Sequence, residues 1–139
     1  MTSIRAGYLV EVTLFVLNSL EDEYVYIVRE TEEVLGRHVS CGISKYLSTK
    51  GLISRNHAKL TVEDDILYVE DLDSRNGTYV NGKKIKEKTK LNLGDSLSLG
   101  IAGVKWDHNR TGAHFKVAGT VEQILVPDPP DFIKYDEDE

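Results

Sequence analysis

A two-residue alternation of apolar and polar side chains, with almost no helical period, sets the strongest limit on how this chain folds. Gly7–Leu17 (GYLVEVTLFVL), Glu23–Glu30, Ala58–Glu63, Ile66–Asp71, Thr78–Val80, Asp95–Asp107 and Ala113–Gly119 are all rich in β-branched and aromatic residues. Successive side chains of a strand point to opposite faces, so this pattern predicts a series of half-buried strands. Turn signals separate them: NSLED, EDD, SRNG, VNGKK, LGD and HNRTG. Two hairpins are expected, one bending at Asp64-Asp65 and one at Asn81-Gly82, where a type I′ turn needs φ > 0 at both central residues. Many short strands joined by tight turns predict an all-β chain, an antiparallel β-sandwich. The 139 residues suffice for one domain with a hydrophobic core. After about Val121 the Pro-containing, acidic stretch PDPPDFIKYDEDE cannot sit in a central strand, and a tail or linker is expected there.

Several function classes are disfavoured at this level. No apolar run approaches the roughly 20 residues that span a bilayer, and the N-terminus lacks a signal-peptide core. The single cysteine, Cys41, excludes an internal disulfide and a Cys-rich zinc site. The sequon at Asn109 is read as a chance match. A formal charge of −6 argues against general nucleic-acid binding, yet the charge is segregated. The windows Val34–Val62 and Arg75–Lys90 hold 11 of the 17 Lys/Arg and only one of the 23 Asp/Glu. If the windows meet in space, they form an anion-attracting patch on an acidic body.

Both windows also carry polar clusters. Arg37 follows Gly36 at the end of an apolar run, Ser54 and Arg55 follow Leu52-Ile53, and Arg75, Asn76 and Gly77 follow VEDLDS. In a sandwich, such loops past strand ends can share one end of the fold. Two or more guanidinium forks and a hydroxyl suit a phosphate, because Arg presents paired N–H donors in a geometry that matches its oxygens. A carboxamide can bracket a peptide backbone with its C=O and NH₂.

GR at Gly36-Arg37, SRNHA at Ser54–Ala58, NGTYVNG at Asn76–Gly82 and LGDSLSLG at Leu93–Gly100 together resemble the forkhead-associated (FHA) domain, in order and in spacing. The resemblance runs from about Tyr8 to Val117 and implies an FHA-type, SMAD/FHA-like β-sandwich of about eleven strands over residues 7–120, with 121–139 as tail. It implies a module that binds phosphothreonine in partner proteins, without catalysis or cofactor. Residue by residue, Arg37, Ser54 and Arg55 would contact the phosphate, and Arg75 would add a contact or read neighbouring peptide side chains. Asn76 would bond the peptide backbone. His57, Gly36, Gly77 and Asn81 would support the loops, and Leu52 would lie where relatives select the residue three places after the phosphothreonine. A Leu there weakens the expectation of an acidic residue at that peptide position. The SRNHAKL block and LGIAGVKW are also similar to the amino-terminal domain of Nbs1-type repair scaffolds, and checkpoint or meiotic kinases carry such domains too. A nuclear DNA-damage or cell-cycle setting is therefore the expectation.

Three rival readings remain beside this one. Ser54 and His57, with Asp71 or Asp73, could be drawn as a hydrolytic triad, but the chain has no GxSxG elbow and no Walker loop. The basic windows would attract nucleic-acid phosphates, but Tyr46 and Tyr79 are too few to serve as stacking platforms. A scaffold with an unused pocket is the third. His38, His108 and His114 are scattered and read as surface or strand residues.

Overall fold

The alternating segments pair as ten antiparallel strands in two sheets, seen in a computed structural model that describes residues 10–103 and 111–125. One sheet has the order β2(Val25–Val28), β1(Val10–Ser19), β10(Ala113–Leu125), β9(Ser96–Leu99), β6(Thr78–Val80), β7(Lys83–Lys84). The other has the order β3(Glu32–Leu35), β4(Ala58–Glu63), β5(Ile66–Asp71), β8(Thr89–Leu91). The chain divides into a unit of Phe15–Thr120 and a unit of Met1–Leu14 with Val121–Glu139. All that follows concerns the first. Its core is one cluster, drawn from both sheets, that includes Leu17, Leu60, Leu67, Val69, Leu97 and Phe115, each fully buried. Burying a Leu, Val or Phe side chain is worth about 1.5–3 kcal/mol, so these alternate positions hold the two layers together.

Three expected strands, Ala58–Glu63, Ile66–Asp71 and Thr78–Val80, match β4, β5 and β6 to the residue. Both hairpins form as expected, with positive φ at Asp64 (51°), Asp65 (62°), Asn81 (51°) and Gly82 (82°). Other boundaries differ. The expected strand Asp95–Asp107 stops at Leu99, where Gly100 takes φ 90° and the chain bends. Only glycine fits there: a Cβ on Gly100 would lie 2.8 Å from the Leu52 Cβ. Ten strands, not about eleven, are present among the described residues. The alternation pattern does not single out β3 (EEVL) or β8 (TKL). The Gly7–Tyr8 start, Trp106, His108, Asn109 and the segment 126–139 lie outside the described residues. Among the described residues, no helix is long and apolar enough to cross a membrane. The one helix among the described residues, α1(Ser44–Leu47), is a single turn that buries Leu47.

Register gathers the polar loops. Ala58, the first residue of β4, pairs with both Leu35 at the end of β3 and Asp71 at the end of β5. The chain leaving Leu35, the chain entering Ala58 and the chain leaving Asp71 are therefore neighbours at one end of the sheet. The SRNH loop thus precedes a strand instead of following one. Leu52-Ile53 is not a strand end but a loop held by Leu52 N–H to the Thr111 carbonyl (2.9 Å) and Ile53 N–H to the Lys50 carbonyl (3.1 Å).

Candidate anion-binding site

The β3–β4 loop crosses over itself just after β3. Arg37 N–H donates to the Ser54 carbonyl (3.2 Å) and His38 N–H to the Arg55 carbonyl (3.0 Å). Gly36 makes this approach possible: a Cβ there would sit 2.1 Å from the Arg55 carbonyl oxygen and 2.7 Å from its carbon. Arg37 Nε donates to the Ile53 carbonyl at 2.6 Å, which fixes the stem of the side chain and leaves the two terminal nitrogens of its fork for a ligand. Cys41, missed at the level of sequence, closes the crossing from the other side. It is buried, with Sγ 3.3 Å from the Arg55 carbonyl and 3.4 Å from Asn56 Oδ1, and burial pushes its thiol pKa up.

His57 joins the two loops from beneath. It is fully buried, its Nδ1 accepts the Ser54 N–H (2.9 Å), and its Nε2 bonds the Gly77 carbonyl (2.7 Å). A carbonyl can only accept, so the proton is on Nε2 and the ring is the neutral tautomer. Both ring nitrogens are thereby committed to backbone. Ser54 Oγ instead accepts the Arg75 N–H at 3.0 Å. Serine and imidazole do not face each other as nucleophile and base, and the triad drawn from sequence does not form. Asp71 is turned to its own loop: its carboxylate accepts from the Ser74 N–H (3.0 Å), the Ser74 hydroxyl and the Thr78 hydroxyl (2.7 Å). Burial pushes its pKa up, but these donors outweigh burial and hold it below the usual value. Asp71, Ser74 and Thr78 form a support that motif reading passed over. Its signal was the Asp-x-x-Ser spacing of a side-chain-capped turn.

Burial also holds the His57 pKa below its ordinary 6.5. The buried His114 ring, bonded to Ser98 (2.9 Å), is pushed down to about 4 by desolvation and then by the nearby Lys50 charge. The unfolded chain takes up protons near pH 6.5 while these rings stay neutral in the folded state, so their contribution is complete above pH 6.5 and lost as pH falls toward the folded values. At about 1.4 kcal/mol per pH unit of displacement, His114 alone accounts for up to about 3 kcal/mol. Denaturant unfolding at pH 7.5 and pH 4.5 is expected to show this loss, and an unchanged midpoint would contradict it.

The result is a cavity of about 290 Å³ lined by Arg37, Leu52, Ser54, Arg55, Arg75 and Asn76 among others, with no acidic residue in its wall. None of the three arginines joins a salt bridge among the described residues. Asn76 is half-buried; its Nδ2 donates to the Leu52 carbonyl (2.9 Å), leaving Oδ1 as an acceptor, and Tyr79 donates to the Asn76 carbonyl (2.9 Å). Asn81 ties the β6–β7 turn to the β8–β9 loop through Asp95 (3.0 Å) and Ser96 N–H (2.9 Å). Gly77, at φ 95°, supplies the carbonyl that His57 needs. Of the two basic windows, Arg37, Arg55 and Arg75 are the cations that meet at this cavity. Lys59 and Lys88 pair with Glu70 and Glu63, and Lys50 lies over the Tyr46 ring.

A β-sandwich that crosses its loops at one end to expose unpaired guanidinium groups defines an anion-receptive binding module. Residues 34–100 match the family model of the FHA domain, and the chain carries an FHA domain. Vacuolar protein sorting-associated protein 64 of Saccharomyces cerevisiae is 38% identical over 78 residues, which cover 54% of this chain and 12% of that protein. Protein FraH of Nostoc is 41% identical over 51 residues, covering 35% of this chain and 18% of that one. The chain therefore spans less than a fifth of either relative. Among solved structures, the fold is shared with the FHA domain of a Chlamydia trachomatis protein (TM-score 0.60, 23% identity, 76% of this chain and 96% of that one). It is also shared with the N-terminal FHA domain of S. cerevisiae Rad53p in complex with a phosphothreonine peptide (TM-score 0.58, 18% identity, 82% and 94%).

Proposed function

We propose that the cavity at the crossed loops takes the phosphate of a phosphothreonine in an extended segment of a partner protein. The observation that carries this reading is the set of three guanidinium groups without carboxylate partners around a cavity that has no acid in its wall. The terminal nitrogens of Arg37 and the fork of Arg55 donate to phosphate oxygens. Ser54 adds its O–H, because its oxygen is already an acceptor for Arg75 N–H and the hydroxyl proton is left for a ligand. Asn76 Oδ1 accepts from the peptide backbone, and Arg75 at the rim meets the phosphate or a flanking side chain. The role is recruitment and not catalysis, since His57 has no nitrogen left to act as a base.

The setting is also a proposal. The motif resemblance supports a nuclear DNA-damage or cell-cycle protein, whereas one relative is named for vacuolar protein sorting. The domain reading of residues 7–120 with a C-terminal tail rests on the same resemblance.

Seating a threonine methyl group in a small pocket is worth about 10- to 200-fold. Calorimetric titration with matched phosphothreonine, phosphoserine and unmodified peptide pools is expected to show micromolar binding of the first, at least about tenfold weaker binding of the second, and none of the third. Equal binding of all three would overturn the reading in favour of a phosphate-independent surface.

A further inference from the structure

A larger cavity, of about 800 Å³, opens on the flank of the sandwich between β2 and β3. β2 ends one sheet and β3 ends the other, so the cavity is a groove between two strand edges. Ser19 N–H donates to the Tyr24 carbonyl, which makes Ser19 and Tyr24 a hydrogen-bonded pair. Hydrogen-bonded and non-hydrogen-bonded pairs alternate in an antiparallel ladder. Leu17–Tyr26 and Phe15–Val28 then also exchange bonds, and the N–H and C=O groups of Val25 and Ile27 point out of the sheet edge. No loop backbone bonds them among the described residues. The facing edge is partly covered, since Gly42 N–H takes the Val34 carbonyl (2.9 Å). Among the described residues, β2 is thus the free edge of the groove. An uncovered edge is a template for another strand.

The chemistry of the groove selects what that strand carries. Glu30, Glu32 and Glu33 line it against the single cation Arg29. Glu30 and Glu32 are exposed and form no salt bridge among the described residues. Glu33 is held in place by Tyr26 Oη–H and by the N–H groups of Arg29 (3.1 Å) and Glu30 (3.0 Å). Val25 is 52% exposed, an apolar β-branched side chain on an edge with no Lys or Pro within β2 to blunt it. By contrast, Lys83, Lys84 and Lys90 lie on the strands that end the two sheets at the other side, β7 and β8.

We infer that this groove is a second peptide-binding site, which adds an extended segment of a partner protein, basic and apolar at alternate positions, as a strand along β2. Alternation places one set of partner side chains against Val25 and the other over the glutamates. The site does not depend on the phosphate cavity, although Asn56 of the groove follows Arg55 of the cavity directly. A partner that engaged both would gain through effective concentration.

The probe is an unphosphorylated, fluorescently labelled (Lys-Val)₄ peptide, compared with (Glu-Val)₄, followed by anisotropy and by residue-resolved amide exchange. Only the lysine peptide is expected to bind, slowing exchange at Val25 and Ile27. The double variant Glu30→Lys/Glu32→Lys should weaken it at least about tenfold, and Arg37→Ala should leave it unchanged. Val25→Pro removes one outward donor at the first residue of an edge strand, where proline is tolerated, and should also weaken it. Absence of protection at Val25 and Ile27, indifference to both variants, or protection caused by a second copy docking its β7–β8 edge would each overturn the proposal.

Discussion

Arg37→Ala is expected to cut phosphothreonine-peptide affinity by about 10- to 150-fold, the loss of one charge-assisted bond worth roughly 1.5–3 kcal/mol. The fold should barely notice. Arg37 is exposed, and its side chain's one bond among the described residues, Nε to the Ile53 carbonyl, contributes about 0.5–1.5 kcal/mol at the surface. Arg37→Lys separates charge from geometry: it keeps the cation but lacks the Nε–H that orients the fork, so it should fall between wild type and alanine. Calorimetry with one phosphothreonine peptide, beside a denaturant midpoint for each variant, checks both halves. A large loss of affinity in Arg37→Lys equal to that in alanine would assign the effect to the oriented fork alone. No loss in either variant would remove Arg37 from the site.

The second large effect is on structure. Gly36→Ala should destabilise the domain by about 1–3 kcal/mol or more, because the new methyl overlaps backbone and not a flexible side chain. The Arg55 carbonyl must move, and it also holds His38 N–H and faces Cys41 Sγ. Movement there shifts Arg37 and Arg55 together, so phosphopeptide binding should fall with stability. Gly51→Ala is the control. Gly51 lies in the same loop with open space around its missing Cβ and no positive φ, so its change should stay within about 0.5 kcal/mol. Thermal melts of the two variants side by side measure the difference, and equal melting would contradict the close-approach reading of Gly36.

How much of this was legible beforehand depended on whether a residue's role is local. Asp64-Asp65 and Asn81-Gly82 announced their hairpins because a tight turn makes its demand on two adjacent residues, for Asn81-Gly82 the φ > 0 of a type I′ turn. β4, β5 and β6 announced themselves because each buries one face, and burial writes a period of two into the chain. β3 did not, since two adjacent glutamates occupy half of its four residues and its partner is more than twenty positions away. Arg37, Ser54, Arg55 and Asn76 could be named as one group through the resemblance, but not their internal bonds. Ser54 shares its hydroxyl oxygen with Arg75, and Asn76 spends its amide on Leu52; both depend on contacts 21 and 24 residues apart. Cys41 gave no motif signal and Asp71 only the Asp-x-x-Ser spacing that motif reading passed over, yet they brace the two loops that carry the arginines.

The sequence by itself determined an all-β sandwich, its tight turns, the segregation of its charge and the residues able to meet a phosphate. These follow from short-range rules of alternation, turn geometry and side-chain chemistry. Only the tertiary structure decided that Ala58 stands between Leu35 and Asp71, which brings both ends of one loop and the start of another to one end of the sheet, and that His57 is a neutral tautomer with both nitrogens occupied. It alone left β2, among the described residues, at the edge of its sheet beside a groove lined by three glutamates. Pairing and register join residues far apart in the chain, and no local pattern records which strand will end a sheet.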